Sequence, residues 1–154
     1  MYEYTLGKLH ERGVQLEDLA LIVIDLQKKY HPNLTLEVAL ENIDAVLHKR
    51  EVQHATITGI ELDELAEKNL LSEPLLSILR RDEPLYGVDE ILALSIVNIY
   101  GSIGFTNFGY LDKVKPGIIG YLDSKPNGTI NTFLDDILCA IVASACSRMA
   151  HSKL

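Results

Sequence analysis

Apolar residues recur along this chain at intervals of three and four, the period that gathers them on one face of a helix. Leu16, Leu19, Ala20, Val23 and Ile24 predict a first helix ending at Lys28-Lys29-Tyr30, ahead of Pro32, where lysines suit the negative end of the helix dipole. Thr35 stands where it can cap a second helix, with Val38 three residues on and Leu36, Ala39, Leu40, Ile43, Val46 and Leu47 inside it. A third helix spans about residues 51–68, with Ile57, Ile60, Leu62 and Leu65 inward and Asp63, Glu64, Glu67 and Lys68 outward. Ser72-Glu73-Pro74 starts a short fourth helix, closed by Arg80-Arg81. Gly87-Val88-Asp89-Glu90 opens a fifth that runs through Tyr100 and is broken by Gly101-Ser102-Ile103-Gly104. Residues 105–123 read as one or two helical pieces interrupted near Pro116-Gly117, and Ser124 to Gly128 as a loop. The last helix runs from Thr132 to about His151. Its apolar residues cover nearly the whole circumference, which marks a central helix. The prediction is an all-α single domain over residues 1–154, with about six helices packed around the C-terminal one.

Composition changes the picture in one respect. The chain carries 14 Lys and Arg against 22 Asp and Glu, a net charge of −8, which argues against nucleic acid as a partner and against passive adhesion to anionic lipid. An anionic substrate would need a local cationic site or a divalent metal. The N-terminus lacks the basic-then-apolar layout of a signal peptide, and the longest apolar run, Ile137 to Cys146, is well short of the roughly 20 residues that span a bilayer. The expectation is a soluble cytoplasmic protein. Cys139 and Cys146, seven residues apart on one helix, are separated by about 10.5 Å of rise and read as two buried thiols.

The candidate chemistry lies in two similar helix openings. Asp89-Glu90 precedes Ile-Leu-Ala-Leu, and Asp135-Asp136 precedes Ile-Leu-Cys-Ala. Each places two carboxylates in the first turn of an apolar helix. Such residues can be simple caps, since the helix dipole and free N–H groups favour them: Asp89 as an N-cap, and Thr132 with Asp135 as a capping box with Asp in place of Glu. Alternatively the pairs converge, and four carboxylates then need a hard cation such as Mg²⁺ between them. Between the pairs lie Asp112, Lys113, Lys115 and Asp123, with the two lysines a candidate phosphate clamp. His54, four residues before Thr58 on the third helix, is a weaker candidate. Ala140, Ala143, Ser144 and Ala145 permit close helix approach, within the core or in a homo-oligomer.

The ordered set Val88-Asp89-Glu90-Ile91, Gly104-Phe105, Leu111-Asp112-Lys113-Val114-Lys115-Pro116, Leu122-Asp123 and Asp135-Asp136-Ile137 resembles the phosphatidylglycerophosphatase A family. It is most similar to that family's soluble branch, the low-temperature-requirement C proteins, over roughly residues 50–151. The resemblance implies a six-helix fold with one central helix. It also implies Mg²⁺-dependent removal of the terminal phosphate of phosphatidylglycerophosphate. On the matching positions it implies metal binding by Asp89, Glu90, Asp135 and Asp136, with Asp136 or Glu90 positioning water. Lys115, with Lys113, binds phosphate, and Asp112 and Asp123 are accessory. The partner is then a phospholipid phosphate, met in transient contact at the inner face of the membrane. Membrane members of the family carry spanning helices and a Gly/Pro-rich N-terminal motif; here there is no such span, and only Thr58-Gly59 echoes the motif. Other readings of the acidic pairs are an all-α Mg²⁺-dependent nucleotide pyrophosphatase and a non-catalytic helical regulatory module.

Overall fold

The computed structural model describes residues 1–152. Among them are nine α-helices, a short 3₁₀ turn at Pro126–Gly128 and no strand. The helices are α1 (Tyr2–Glu11), α2 (Leu16–Gln27), α3 (Leu36–Leu47), α4 (Arg50–Glu67), α5 (Leu75–Arg81), α6 (Val88–Val97), α7 (Ser102–Val114), α8 (Ile118–Asp123) and α9 (Leu134–Ala150). The all-α fold stands as expected. The expected six helices grow in number because residues 2–11 form a further helix and residues 105–123 divide into two at Lys115.

Helix α9 is the axis. Fifteen of its 17 residues are buried, and α2, α3, α4, α6, α7 and α8 all pack against it. A helix surrounded on every side has no use for a polar face, which is why its sequence is apolar all round. Cys139 and Cys146 are buried within it as free thiols. Close packing around α9 relies on small residues. Gly104 is no helix breaker: only Gly101, at φ 85°, ends the preceding turn, while Gly104 lies inside α7 and buried against Val97 and Ser147. Gly59 does the same for α4. A Cβ there would lie 2.3 Å from Ile137 Cδ1 and 3.0 Å from Phe133 Cβ.

The surrounding helices keep a wet face. The Thr35 hydroxyl accepts the N–H of Val38 at 3.2 Å, so the cap of α3 is where the sequence places it. Helix α4 departs from expectation in a consequential way. Its inward stripe is Val52, Ala55, Thr56, Gly59, Ile60, Asp63 and Ala66, whereas Ile57, Leu62 and Leu65 are only half-buried. Asp63, expected on the outer face, is fully buried. No described helix is long and apolar enough to cross a membrane.

Gly59→Ala tests the α4–α9 approach. Ile137 can swing its terminal methyl aside, but Phe133 Cβ is fixed to the backbone, so the variant should lose about 1–3 kcal/mol of stability in chemical denaturation.

Candidate active site

The first turn of α9 is held in place by four other elements. Asp63, reaching from α4, accepts the N–H of Phe133 at 3.1 Å and of Leu134 at 3.0 Å, which caps the helix from outside its own sequence. Arg12, just past α1, brings its Nη2 within 2.7 Å of Glu67, the Ile130 carbonyl and Asn131. Glu67 in turn accepts the Ile130 N–H at 2.8 Å. Asn131 donates to the Leu122 carbonyl at the end of α8, and the Thr132 hydroxyl donates to the Leu79 carbonyl of α5. The expected Thr132–Asp135 capping box is therefore absent: Thr132 is engaged elsewhere, and Asp135 accepts the adjacent Asp136 N–H at 2.9 Å and the Lys115 ammonium at 3.2 Å. Asp89 is not an N-cap either. Gly87, at φ 77°, begins α6, and Asp89 accepts the neighbouring Glu90 N–H. With α9 capped by Asp63, the carboxylate pair at its head is not needed as a cap.

Asp135 and Asp136 are each 4% exposed and open into a cleft of about 380 Å³. Around it stand Asp89 and Glu90 from α6, Asp112 and Lys115 from the end of α7, Asp123 from α8, and Asp82 and Glu83 from the loop before α6. Seven of the nine residues singled out from the sequence thus share one cleft. Lys113 and His54 do not. Lys113 is exposed outside it, and His54 is exposed on α4, its carbonyl taken by the Thr58 hydroxyl. Only Lys115 of the expected two-lysine clamp reaches the acids. The reason is a turn: Lys115 ends α7 in the left-handed region at φ 49°, which aims it away from the face that carries Lys113. Gly120 permits that turn, since a Cβ there would sit 2.4 Å from the Lys115 carbonyl oxygen. The turn also leaves Asp112 and Asp123 on one cleft although no continuous helix joins them. Asp82, which also lines the cleft, and the capping Asp63 escape sequence reasoning.

Eight carboxylates here face one ammonium group. Lys115 Nζ lies 3.2 Å from Asp135, 3.2 Å from Asp112 and 3.9 Å from Asp123. Burial alone would lower its pKa, but Asp135 and Asp112 overcome that and push it up, so the ammonium is held charged. Burial pushes Asp135 up against the pull of Lys115. Burial, the Asp135 charge and contact with Asp112 push Asp136 up further. Glu90 also rises, through its own desolvation and the charges of Asp112 and Asp89, and it too reaches Asp112. Asp112 thus acts on both Glu90 and Asp136, and the three carboxyls lie side by side in the cleft. A larger groove of about 750 Å³ between α1, α2 and α3 holds no such set: its Glu17, Glu37 and Glu41 are exposed to water.

The donor set has the chemistry of a hard-cation site, all carboxylate oxygen and in excess of the local positive charge. Among the described residues, no three acidic, histidine or cysteine side chains enclose a ready-made ion cage as they lie. Lys115 fills the space between Asp112 and Asp135 instead.

Two stability tests follow from this geometry. Asp63→Ala leaves two buried N–H groups without an acceptor and should cost about 1–3 kcal/mol, while Asp63→Asn, which keeps an acceptor, should cost less; urea titration measures both. The folded protein also holds protons on Asp135 and Asp136 at pH values where the unfolded chain has released them. Without divalent cations, the melting temperature should fall as pH rises from about 5 to about 8, and Asp136→Asn should flatten the slope. Glu67, a carboxyl that Arg12 and the Ile130 N–H pull below its usual value, loses its contribution only on the acid side of that window.

Comparison with known proteins agrees on one family. The chain is 59% identical to the uncharacterized protein YpjQ of Bacillus subtilis over 152 residues, 99% of this chain and 85% of that one. It is 61% identical to YutG of the same organism, over 94% of this chain and 87% of YutG. Among solved structures, a protein of unknown function from Bacillus stearothermophilus superposes with a TM-score of 0.95 at 62% identity, covering 98% of this chain and 94% of that one. The low temperature requirement C protein of Listeria monocytogenes gives 0.94 at 57% identity, covering 97% and 94%. The family model for Phosphatidylglycerophosphatase A matches residues 7–151, so likeness begins well before the acidic motifs and takes in Arg12 and Asp63; the chain belongs to the phosphatidylglycerophosphatase A family.

Proposed function

We infer that this protein is a Mg²⁺-dependent phosphatase that removes the terminal phosphate of phosphatidylglycerophosphate and leaves phosphatidylglycerol, acting at the cytoplasmic face of the membrane. The observation that carries this reading is the meeting of Asp89-Glu90 and Asp135-Asp136 with Asp112 and Lys115 on one cleft, in a chain of this family. Asp89, Glu90, Asp135 and Asp136 are the residues that would hold Mg²⁺. Bound there, the ion supplies charge neutralisation and Lewis acidity toward phosphoryl oxygens.

The chain's own groups divide the remaining work. Lys115, kept charged by its neighbours, donates to a phosphate oxygen in an otherwise acidic pocket. Without a cation, burial and the Asp135 charge favour the protonated form of Asp136; with a cation alongside, its carboxyl would be ionised and so able to accept a proton from the attacking water, and Glu90 is the second candidate for that role. The water oxygen bonds to phosphorus, the bond from phosphorus to the glycerol oxygen breaks, and the departing oxygen takes up a proton. Asp112 sits between Lys115, Glu90 and Asp136 and keeps them in register. That the cap on α9 comes from Asp63 favours a chemical role for the Asp135-Asp136 pair over a purely structural one.

Phosphate release from phosphatidylglycerophosphate, with and without Mg²⁺, is the test. Release should require the ion. Asp136→Asn should lower the rate by about 10²-fold or more, and Lys115→Gln should lower kcat/KM by about 10²-fold. Saturating Mg²⁺ should raise the melting temperature of the wild type and not that of Asp136→Asn. Release that survives a chelator, or is unaltered in Asp136→Asn, contradicts the assignment. Hydrolysis of nucleoside triphosphates in its place points to the pyrophosphatase chemistry.

A further inference from the structure

The loop between α5 and α6 holds a strained residue that its own packing does not explain. The Tyr86 N–H donates to the Glu83 carbonyl at 3.1 Å, which closes a tight turn with Pro84 and Leu85 at its centre. Leu85 is held at φ 67°, where a turn of this kind favours glycine or asparagine. Its side chain is fully exposed and gains no packing in return. Gly87, at φ 77°, turns the chain again into α6. Between these two left-handed residues Tyr86 is folded inward. Its ring packs on the core and meets Phe133 edge-on, with centroids 6.0 Å apart and planes at 89°. Phe133 is the residue whose N–H Asp63 accepts, so Tyr86 is fixed against the same turn that carries Asp135 and Asp136. Backbone strain of this sort persists where a side chain must be placed.

Tyr86 also lines the cleft. Carboxyls apart, Lys115 and Tyr86 are the two lining side chains that can donate a hydrogen bond. The Lys115 ammonium is already shared between Asp112 and Asp135. The Tyr86 hydroxyl donates to none of the described residues. It is not one of the partnerless hydroxyls sealed from water, which belong to Thr56, Tyr100 and Ser144, so it opens into the cleft. Burial and the charge of Asp89 push its pKa up, and the phenol keeps its proton.

We propose that Tyr86 is a substrate-binding residue, its hydroxyl donating to a non-bridging oxygen of the phosphate held in the cleft. The proposal rests on the reading of the cleft as a phosphate site. Any phosphate oxygen turned away from the cation and from Lys115 would face carboxylates that repel it. A phenol supplies such an oxygen with a donor, and it carries no positive charge for the surrounding acids to capture as they capture Lys115.

Tyr86→Phe removes the hydroxyl and keeps the ring against Phe133, so the fold is retained. Isothermal titration calorimetry of inorganic phosphate into the Mg²⁺-loaded protein reads the donor without turnover. The wild type should bind phosphate, and Tyr86→Phe should bind it about tenfold more weakly. The rise in melting temperature with Mg²⁺ should be equal in the two, because Tyr86 holds no metal. Tyr100→Phe, which removes a partnerless hydroxyl outside the cleft, should bind phosphate as the wild type does. Phosphate affinity unchanged in Tyr86→Phe, an equal loss in Tyr100→Phe, a Mg²⁺ response lost together with the phosphate, or a wild type that binds no phosphate overturns the proposal. Tyr86-dependent phosphate binding without release from phosphatidylglycerophosphate leaves the role of the hydroxyl standing and removes the phosphatase reading. Release with KM and kcat alike unaltered in Tyr86→Phe does the reverse.

Discussion

Two adjacent carboxylates at the head of a buried helix are an electrostatic problem that the rest of this molecule is arranged around. Helix α9 lies at the centre of the fold, so its first turn meets water only through one cleft, and Asp135 and Asp136 are almost completely covered. Desolvating an isolated carboxylate costs several kcal/mol, and two side by side repel each other as well. One ammonium group, Lys115, answers part of that charge. The rest falls on protons retained by Asp135 and Asp136 themselves, or on a cation drawn from solution.

The positions of the other elements follow from holding that turn still. Asp63 of α4 takes up the free N–H groups of residues 133 and 134, and Arg12, Glu67, Asn131 and Thr132 pin the preceding segment to α1, α4, α5 and α8. Close approach of the flanking helices depends on Gly59 and Gly104, and the turn that delivers Lys115 depends on Gly120. Rigid support from several directions suits a site that must keep like charges together, because a loose arrangement would relax by moving them apart. Two more acids of the cleft, Asp82 and Glu83, come instead from a loop, the natural place for a site to meet its ligand.

Much of this was legible in the sequence because helical periodicity is a local signal. The core stripe of α3, its Thr35 cap and the all-round apolar character of α9 can be read within single segments. The two acidic pairs could be recognised as similar, and their order with Asp112, Lys115 and Asp123 carried the family. What could not be read were the contacts between distant segments. Asp63 sits among Leu62, Glu64 and Glu67, where an acid belongs on the wet face, and the N–H groups it accepts lie 70 and 71 residues away. Lys113 and Lys115 looked equivalent because the left-handed turn that separates them is set by the approach of Gly120. Helix α1 lacks a side-chain cap and has little apolar content overall, and it is held by its packing on α4 and its ion pair from Lys8 to Glu64.

The direct check on the electrostatics is to let the cleft choose its own counter-ion. Crystals grown without divalent cations and soaked in Mn²⁺, an anomalous scatterer that takes the same hard oxygen ligands as Mg²⁺, reveal where positive charge is wanted. An anomalous peak bounded by Asp89, Glu90, Asp135 and Asp136, and missing from Asp136→Asn crystals, is the expected result. A cleft without density at saturating Mn²⁺, with Lys115 still bridging Asp112 and Asp135, would mean that these carboxylates are neutralised by protons and lysine alone.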